Sequence, residues 1–269
     1  MWSRRSALPP VARSRFTAAR GGVADIARLA QRVPLFPVER PLALAEVAAA
    51  RAASPLRVGW AALFVKAYAL VAAEMPVLRT WLVRGIVPRL ATAPTSVATL
   101  AVNRTEAGED RLFFARLPTP ESRSLVDIQR FITECGTKPI EEVFHRQLQF
   151  ERLPGPLRRT ILRWNMNSFS PKRATRIGTF SLSTLAGFGA INRFHPTLCT
   201  TSLSYAPLEA DGRGLVTLIC DHRVLDGAAA ARALARREEV LRHDLVAELA
   251  TIEADVSLPR PADGRGAAA

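Results

Sequence analysis

The stretch LVTLICDHRVLDGAAAARALARREEVL, Leu215–Leu241, places a histidine between an apolar run and an alanine-rich segment. The apolar run Leu215–Cys220 predicts a buried strand, and the periodicity after Gly227 predicts a helix that begins at that glycine. The residues between the two elements are Asp221, His222, Arg223 and Asp226. The sequence therefore predicts a titratable loop at the carboxyl end of a strand, where binding and catalytic residues are often carried.

His222 has the chemistry of a general base. An unperturbed histidine titrates near pH 6.5, so it can accept and return a proton close to neutrality. Asp226 is either the N-cap of the predicted helix or the partner of a buried arginine that fixes the loop. In both interpretations Asp226 is a support and not a proton carrier. An ordinary surface-loop histidine is the alternative interpretation of His222 taken alone.

The composition is that of a globular protein with an unusual charge. The chain has 269 residues, 48% of them hydrophobic and 23% charged, and its formal net charge is +13. Arginine supplies almost all of this charge, because the lysines are only Lys66, Lys138 and Lys172. A codon bias toward arginine and alanine explains this, and so does an anionic partner such as a phosphorylated substrate, a membrane surface or nucleic acid.

Cysteine and histidine spacing excludes some classes of site. The three cysteines lie far apart without a CxxC pair, and the four histidines lack metal-ligand spacing, so we expect no disulfide framework and no metal. A reducing compartment, the cytoplasm, is therefore expected. The mitochondrial matrix is the alternative, because the first 24 residues contain several arginines and no acid.

The most apolar segment, Val58–Ala73, is predicted to be a buried helix. It is 16 residues long and carries Lys66 at its middle, whereas a membrane span needs about 20 apolar residues. Elsewhere the patterns predict helices at Val23–Val33, Ala43–Ala53, from Thr119-Pro-Glu to about Gln149, and from Gly227. They predict an extended segment at LFPVERPLAL and strands at Ser96–Arg104, Arg111–Leu117, IGTFSLST, CTTSLSYA and GLVTLICD. This order indicates an α+β fold with a mixed sheet.

Two motifs resemble one family. DHRVLDG, Asp221–Gly227, resembles the HxxxDG active-site signature of the acyltransferase catalytic domains of 2-oxo acid dehydrogenase complexes. GTFSLSTLAGFGA, Gly178–Ala190, resembles a strand and loop that precede this signature by about 40 residues in that family. The resemblance implies a chloramphenicol acetyltransferase-like two-layer sandwich, a mixed β-sheet packed by helices. It places the catalytic domain at residues 23–250, between a disordered basic N-terminus (1–22) and a disordered tail (251–269).

The family resemblance implies acyl transfer to or from coenzyme A. By that resemblance His222 is the general base, Ser183 donates to the tetrahedral oxyanion, and Asp226 holds the loop. Thr184 and Gly227 are implied in substrate binding. Because the family's histidine and serine come from neighbouring subunits, a homotrimer or a larger assembly is expected, with acyl-CoA as the substrate.

The sequence also departs from the family. No lipoyl or subunit-binding domain is expected on this chain, so the acyl group would arrive on a separate acyl or lipoyl carrier or go to another acceptor. His195 stands where the family has a small or hydroxylated residue, and it is either a loop histidine or a second catalytic or substrate-binding group. LAGFGA differs from the family loop at Ala186 and Gly187.

The largest departure is an arginine-rich insertion at about residues 152–176. It is either a helix with one solvated basic face or a groove for anions: coenzyme A phosphates, an acyl carrier protein or an anionic membrane surface reached through Arg158, Arg159 and Arg163. No nucleic-acid-binding motif accompanies the charge, so nucleic acid is not the expected partner. Two alternative functions stay open: an inactive trimeric assembly protein of the same fold, and a basic membrane-surface binder.

Overall fold

The computed structural model describes residues 16–106 and 108–253. The helices are α1 (Ala18–Ala30), α2 (Ala45–Ala53), α3 (Trp60–Glu74), α4 (Leu125–Thr137), α5 (Ile140–Val143), α6 (His145–Glu151), α7 (Gly155–Met166), α8 (Lys172–Ile177), α9 (Gly227–Val240) and α10 (Val246–Ala250). The strands are β1 (Leu35–Ala43), β2 (Thr80–Val83), β3 (Arg89–Thr92), β4 (Val97–Glu106), β5 (Glu109–Pro118), β6 (Phe180–Leu182), β7 (Thr201–Tyr205) and β8 (Arg213–Asp221).

One six-stranded sheet has the order β1-β8-β7-β6-β4-β5. Strand β6 is parallel to both of its neighbours, β4 and β7, and the remaining pairs are antiparallel. The sheet is therefore mixed, as predicted. Strand β1 lies at the edge, which accommodates Pro37 and Pro41 because an edge strand needs fewer backbone donors. A separate hairpin, β2–β3, was not predicted.

Helix α3 lies at the centre of the helical layer. The Tyr68 hydroxyl lies 2.6 Å from Thr201 Oγ1, and the Phe64 ring stacks on Tyr205 at 4.5 Å, so α3 packs on the face of β7 that carries Thr201 and Tyr205. Because strand side chains alternate, Ser202 and Ser204 point to the opposite face. The predicted fold class, α+β with helices packed on a mixed sheet, is confirmed.

Lys66 is buried in α3 as a salt bridge. Its Nζ donates to Glu248 Oε1 at 2.6 Å, and the same carboxylate accepts the backbone N–H of Leu125 at 2.8 Å. The charge in the middle of this apolar helix is thus neutralised by the C-terminal helix α10. In the part of the chain that the structure describes, no helix has the length and apolar character needed to cross a bilayer.

Two predicted helix starts differ from the structure. Helix α1 begins at Ala18, five residues before the predicted start at residue 23, because the Thr17 hydroxyl accepts the N–H of Arg20 at 3.3 Å and caps the helix. The predicted disorder at residues 1–22 is wrong for Ala18–Gly22, which belong to α1, and residues 1–15 and 254–269 fall outside the described residues. Helix α4 begins at Leu125 and not at Thr119, since Ser124 accepts the N–H of Asp127 at 3.1 Å and is the N-cap.

Candidate active site

The loop after β8 carries His222 on a rigid backbone. The N–H of His222 donates to Pro34 O at 3.0 Å, which ties the loop to the residue before β1. The imidazole packs against Phe36 with ring centroids 4.5 Å apart and is otherwise exposed. Neither ring nitrogen has a hydrogen-bond partner among the described residues. The histidine is therefore held in place by its backbone, and its titratable atoms are available.

Asp221 and Arg223 form the base of this loop. Arg223 binds the buried carboxylate twice, Nε to Oδ1 at 2.8 Å and Nη2 to Oδ2 at 2.6 Å, and its backbone N–H adds a third bond at 3.1 Å. The N–H groups of Val224 and Leu225 donate to Asp221 O at 3.0 and 3.1 Å. Such a bidentate pair fixes geometry as well as charge. Both charged residues belong to the predicted titratable loop, but their pairing was not predicted.

Asp226 is the N-cap of α9. Its Oδ1 accepts the N–H of Ala229 at 2.8 Å, and Gly227 is the first residue of the helix. Of the two interpretations of Asp226, the structure shows the cap. Among the described residues the arginine pairing belongs to Asp221 instead, because no guanidinium bonds the carboxylate of Asp226. The position of Gly227 agrees with the predicted helix start, and its role in substrate binding stays a prediction.

Ser183 follows β6 and has a free hydroxyl. Its backbone N–H donates to Leu203 O at 2.9 Å, its side chain is half-buried, and its Oγ has no hydrogen-bond partner among the described residues. Thr184 differs, because its hydroxyl donates to Tyr205 O at 2.7 Å and accepts the N–H of Ala186 at 3.1 Å. The hydroxyl of Thr184 is thus engaged within the chain, and its role in substrate binding stays a prediction.

A glycine sets the entry to β6. Gly178 has φ +98°, a conformation that side chains rarely adopt, and a Cβ there would collide with Thr99 Oγ1. Thr99 Oγ1 donates to Ile177 O at 2.8 Å, which explains the close approach. The glycine of the GTFS motif is therefore required by the packing of α8 against β4.

His195 belongs to a polar network on the far face of the sheet. Its Nε2 lies 2.6 Å from Ser202 Oγ, and its Nδ1 lies 3.2 Å from the Asn192 amide nitrogen. Ser181 donates to Ser202 at 2.6 Å and contacts Thr197 Oγ1 at 3.1 Å. Burial lowers the pKa of His195 to about 4, so it is neutral near pH 7. Its alternative role in substrate binding stays a prediction.

Within one chain, His222 and Ser183 lie far apart. In the register of the sheet, Leu182, Leu203 and Leu218 are aligned, so Ser183 is level with Thr217, five residues before His222. Two strand spacings and five residue rises separate them by roughly 20 Å. A single chain therefore does not bring the predicted base and the predicted oxyanion donor together.

The arginines of the insertion differ in their exposure. Arg158 and Arg159 both bind Asp25 of α1, at 2.8 and 3.1 Å, and Arg158 is buried. Arg158 is therefore unavailable to a membrane surface, and the interpretation of a fully solvated basic face is wrong for it. The reason is a partner 133 positions away in the sequence. Arg163 is exposed.

Arg173, from the same insertion, lies behind the candidate site. It is buried, stacks on Trp81 at 4.7 Å, and donates to Gly178 O at 2.5 Å and Leu198 O at 3.2 Å. Burial lowers its pKa to about 10, and the charge of Asp221 opposes that shift. Arg173 thus joins the entry to β6 to the segment before β7, a link that no local sequence pattern predicts.

Solved structures show what this fold is similar to. A probable dihydrolipoamide acetyltransferase from Listeria monocytogenes 4b F2365 has a TM-score of 0.58 and 16% identity, covering 96% of this chain and 100% of that one. The dihydrolipoamide acetyltransferase of Azotobacter vinelandii has a TM-score of 0.60 and 19% identity, covering 91% and 99%. The chain has the fold of these acyltransferase cores. The predicted resemblance is therefore confirmed at the level of the fold.

A third structure, the cubic core of the pyruvate dehydrogenase multienzyme complex, has a TM-score of 0.56 and 18% identity, covering 91% of this chain and 99% of that one. No protein-family profile and no curated protein matches the sequence.

In the described part of the chain, no cluster of three or more histidine, cysteine or acidic side chains could hold a metal ion.

Proposed function

We propose that this protein is an acyltransferase that exchanges an acyl group between a coenzyme A thioester and a thiol or another nucleophile. The observation that supports it most is His222, whose ring nitrogens are free at the end of β8 in a chain with the fold of dihydrolipoamide acetyltransferase cores. In the Azotobacter vinelandii enzyme, a serine, a histidine and an asparagine have been investigated for their role in the catalytic mechanism, and the asparagine lies four residues after the histidine. His222 and Asp226 have the same spacing.

In the proposed reaction, His222 removes the proton of the acceptor thiol. The sulfur attacks the thioester carbonyl, and the carbonyl oxygen becomes a tetrahedral oxyanion. The Ser183 hydroxyl donates a hydrogen bond to that oxygen, an interaction that grows as the negative charge forms. Collapse of the intermediate expels the coenzyme A sulfur, which takes the proton from the His222 imidazolium. The overall reaction moves one acyl group and returns the base to its neutral form.

We propose that the site forms between two copies of the chain in a trimer or a larger assembly. The separation of roughly 20 Å between His222 and Ser183 supports this, because one chain cannot supply both groups to one carbonyl. The segment that follows Ser183 exposes four large apolar side chains: Leu185, Phe188, Ile191 and Phe194. Such a patch is typical of a surface that a partner covers.

The first experiment follows free coenzyme A thiol after the protein is mixed with a panel of acyl-CoA thioesters and dihydrolipoamide. We expect turnover that falls by a factor of roughly 10²–10⁴ in His222→Ala, the range for loss of a general base. His243→Ala is the matched control, since His243 is also exposed but lies beyond α9. Equal turnover in His222→Ala and the unchanged protein would remove His222 from the mechanism.

A second experiment tests the shared site. Two inactive chains, His222→Ala and Ser183→Ala, are co-expressed with different tags, and mixed oligomers are purified through both tags. Activity should return, because an intact Ser183 from one chain meets an intact His222 from the other. Mixed oligomers that stay as inactive as either parent would show that both residues act from the same chain or that one of them has no role.

A further inference from the structure

A cavity of about 720 Å³ lies between strand β5 and the helices that pack beside it. Its walls come from α1, the segment α4–α6, and the helices α7 and α8 of the arginine-rich insertion. Cavities that bind small molecules typically measure about 300–1,000 Å³. Neither His222 nor Ser183 of the same chain lines this cavity.

Most of the lining is apolar. It includes Val23 and Ile26 from α1, Phe114 from β5, Phe131 from α4, and Ile161 and Leu162 from α7. A cavity with such walls favours an aliphatic or aromatic ligand over a fully polar one.

The charged groups of the lining are mainly cationic. Arg116, Arg146 and Arg176 reach the cavity, and none of them is in an ion pair with a carboxylate of the described residues. The acidic residue of the lining, Glu151, is buried and already binds Arg111 and the Gln147 amide. The cavity therefore has positive charge that the described part of the protein leaves without a counter-ion.

Arg116 lies on the strand that forms one wall of the cavity. It lies on β5 opposite Thr99, and its one hydrogen bond is a long contact of 3.4 Å to Phe114 O. The side chain is exposed to solvent, and the protein around the guanidinium still lowers its pKa through desolvation. Because Arg116 lines the cavity and has no carboxylate partner among the described residues, its guanidinium can pair with the anionic head of a ligand.

We propose that this cavity binds a ligand with an apolar chain and a carboxylate head, in which the carboxylate pairs with Arg116. The apolar walls receive the chain, and the planar guanidinium matches the two oxygens of the head. An alkyl phosphate shares this chemistry, and the experiment distinguishes the two heads. The inference does not depend on the acyltransferase proposal, because it concerns different residues and is tested by binding alone.

The test is titration calorimetry of the full chain with three twelve-carbon ligands: laurate, dodecyl phosphate and dodecanol. We expect laurate to bind at least tenfold more tightly than dodecanol. Arg116→Met should weaken the binding of laurate by at least tenfold. It should leave the affinity for dodecanol within twofold, because only the interaction with the charged head is lost. Arg89→Met is the control, since Arg89 is an exposed arginine of β3 outside the cavity.

Leu162→Trp provides a second variant that fills the cavity and keeps Arg116. It should abolish binding of all three ligands while its circular dichroism spectrum stays unchanged. Tighter binding of dodecyl phosphate than of laurate, with the same dependence on Arg116, would contradict the proposal that the head group is a carboxylate. Laurate and dodecanol that bind equally, or laurate binding that survives both Arg116→Met and Leu162→Trp, would overturn the site.

Discussion

His222 and His195 both lie in loops beside the central strands, and they differ in what holds them. The backbone of His222 is fixed by Pro34 and by the Asp221–Arg223 pair, whereas its ring nitrogens are free. His195 is held through the ring itself, with Ser202 on one nitrogen and Asn192 on the other. A histidine whose main chain is anchored can exchange protons without disturbing the fold, and a histidine anchored through its ring cannot.

The same contrast separates the two hydroxyls after β6. Ser183 keeps its Oγ free, and Thr184 uses its Oγ1 in two internal hydrogen bonds. Availability of the functional atom, more than the residue type, therefore distinguishes a candidate for chemistry from a support. Substitutions at these two hydroxyl residues should separate the two classes, and the larger effect is expected at Ser183.

Ser183→Ala should lower kcat by roughly 10²–10³-fold, the usual cost of removing an oxyanion donor. KM should change little, because the hydrogen bond strengthens only in the transition state. Steady-state kinetics at several acyl-CoA concentrations measures both constants. Ser122→Ala is the control, because Ser122 is an exposed serine distant in the sequence from Ser183, and it should leave kcat and KM unchanged. A kcat within twofold of the unchanged protein would exclude the oxyanion role.

Asp221→Ala should destabilise the fold by about 3 kcal/mol, because it leaves Arg223 without the buried carboxylate that it binds twice. Urea unfolding followed by fluorescence measures the free energy. Asp211→Ala is the matched control, since the exposed Asp211–Arg213 pair should contribute less than about 1 kcal/mol. If the two variants lose equal stability, Asp221 does not form the base of the His222 loop.

The stability of the protein should depend on pH through His195. Its pKa is about 4 in the folded protein and near 6.5 in the unfolded chain, so between these values only the unfolded chain binds the proton. Stability should therefore fall as the pH drops from about 6.5 to about 4, by on the order of 2 kcal/mol.

Urea unfolding at pH 7, 6, 5 and 4 tests this, with His195→Gln as the variant. The variant should lose stability less steeply over that range, and His243→Gln, at an exposed histidine, should follow the unchanged protein. If the free energy of unfolding changes with pH equally in His195→Gln and His243→Gln, His195 does not cause the pH dependence.

The sequence predicted the elements whose patterns are local. The alternation in SVATLAVNR and RLFFARL indicated the β4–β5 hairpin, and the apolar run before Asp221 indicated β8. The β2–β3 hairpin was not predicted, because each strand has only four residues and shows no clear periodicity. The turn between the strands exposes Ile86 and Val87, so no polar turn marks it either.

The contacts that stabilise the candidate site are less predictable from sequence. The N-cap role of Asp226 depends on its own helix and was foreseen as one of two alternatives. Arg158 and Asp25 lie 133 positions apart, and Arg173 donates to Leu198 O, 25 positions away. Such pairs are decided by tertiary packing, which residue spacing does not encode. The free hydroxyl of Ser183 and the occupied one of Thr184 could not be distinguished from two adjacent hydroxyl residues.

Asp226 gives the smallest predicted effect and the finest test of the contrast. Asp226→Ala should lower the free energy of unfolding by about 1 kcal/mol, because α9 loses its N-cap. Asp226→Asn should lower the free energy of unfolding by only a few tenths of a kcal/mol, since an asparagine oxygen accepts the same N–H of Ala229. If Asp226 is a support, the asparagine variant should also keep most of the activity, and the alanine variant should lose activity in proportion to how far the loop loosens. Urea unfolding and turnover measured on the same preparations give both quantities. Loss of activity in Asp226→Asn at unchanged stability would mean that the negative charge acts on His222, and the loop would then hold its histidine by electrostatics as well as by its backbone.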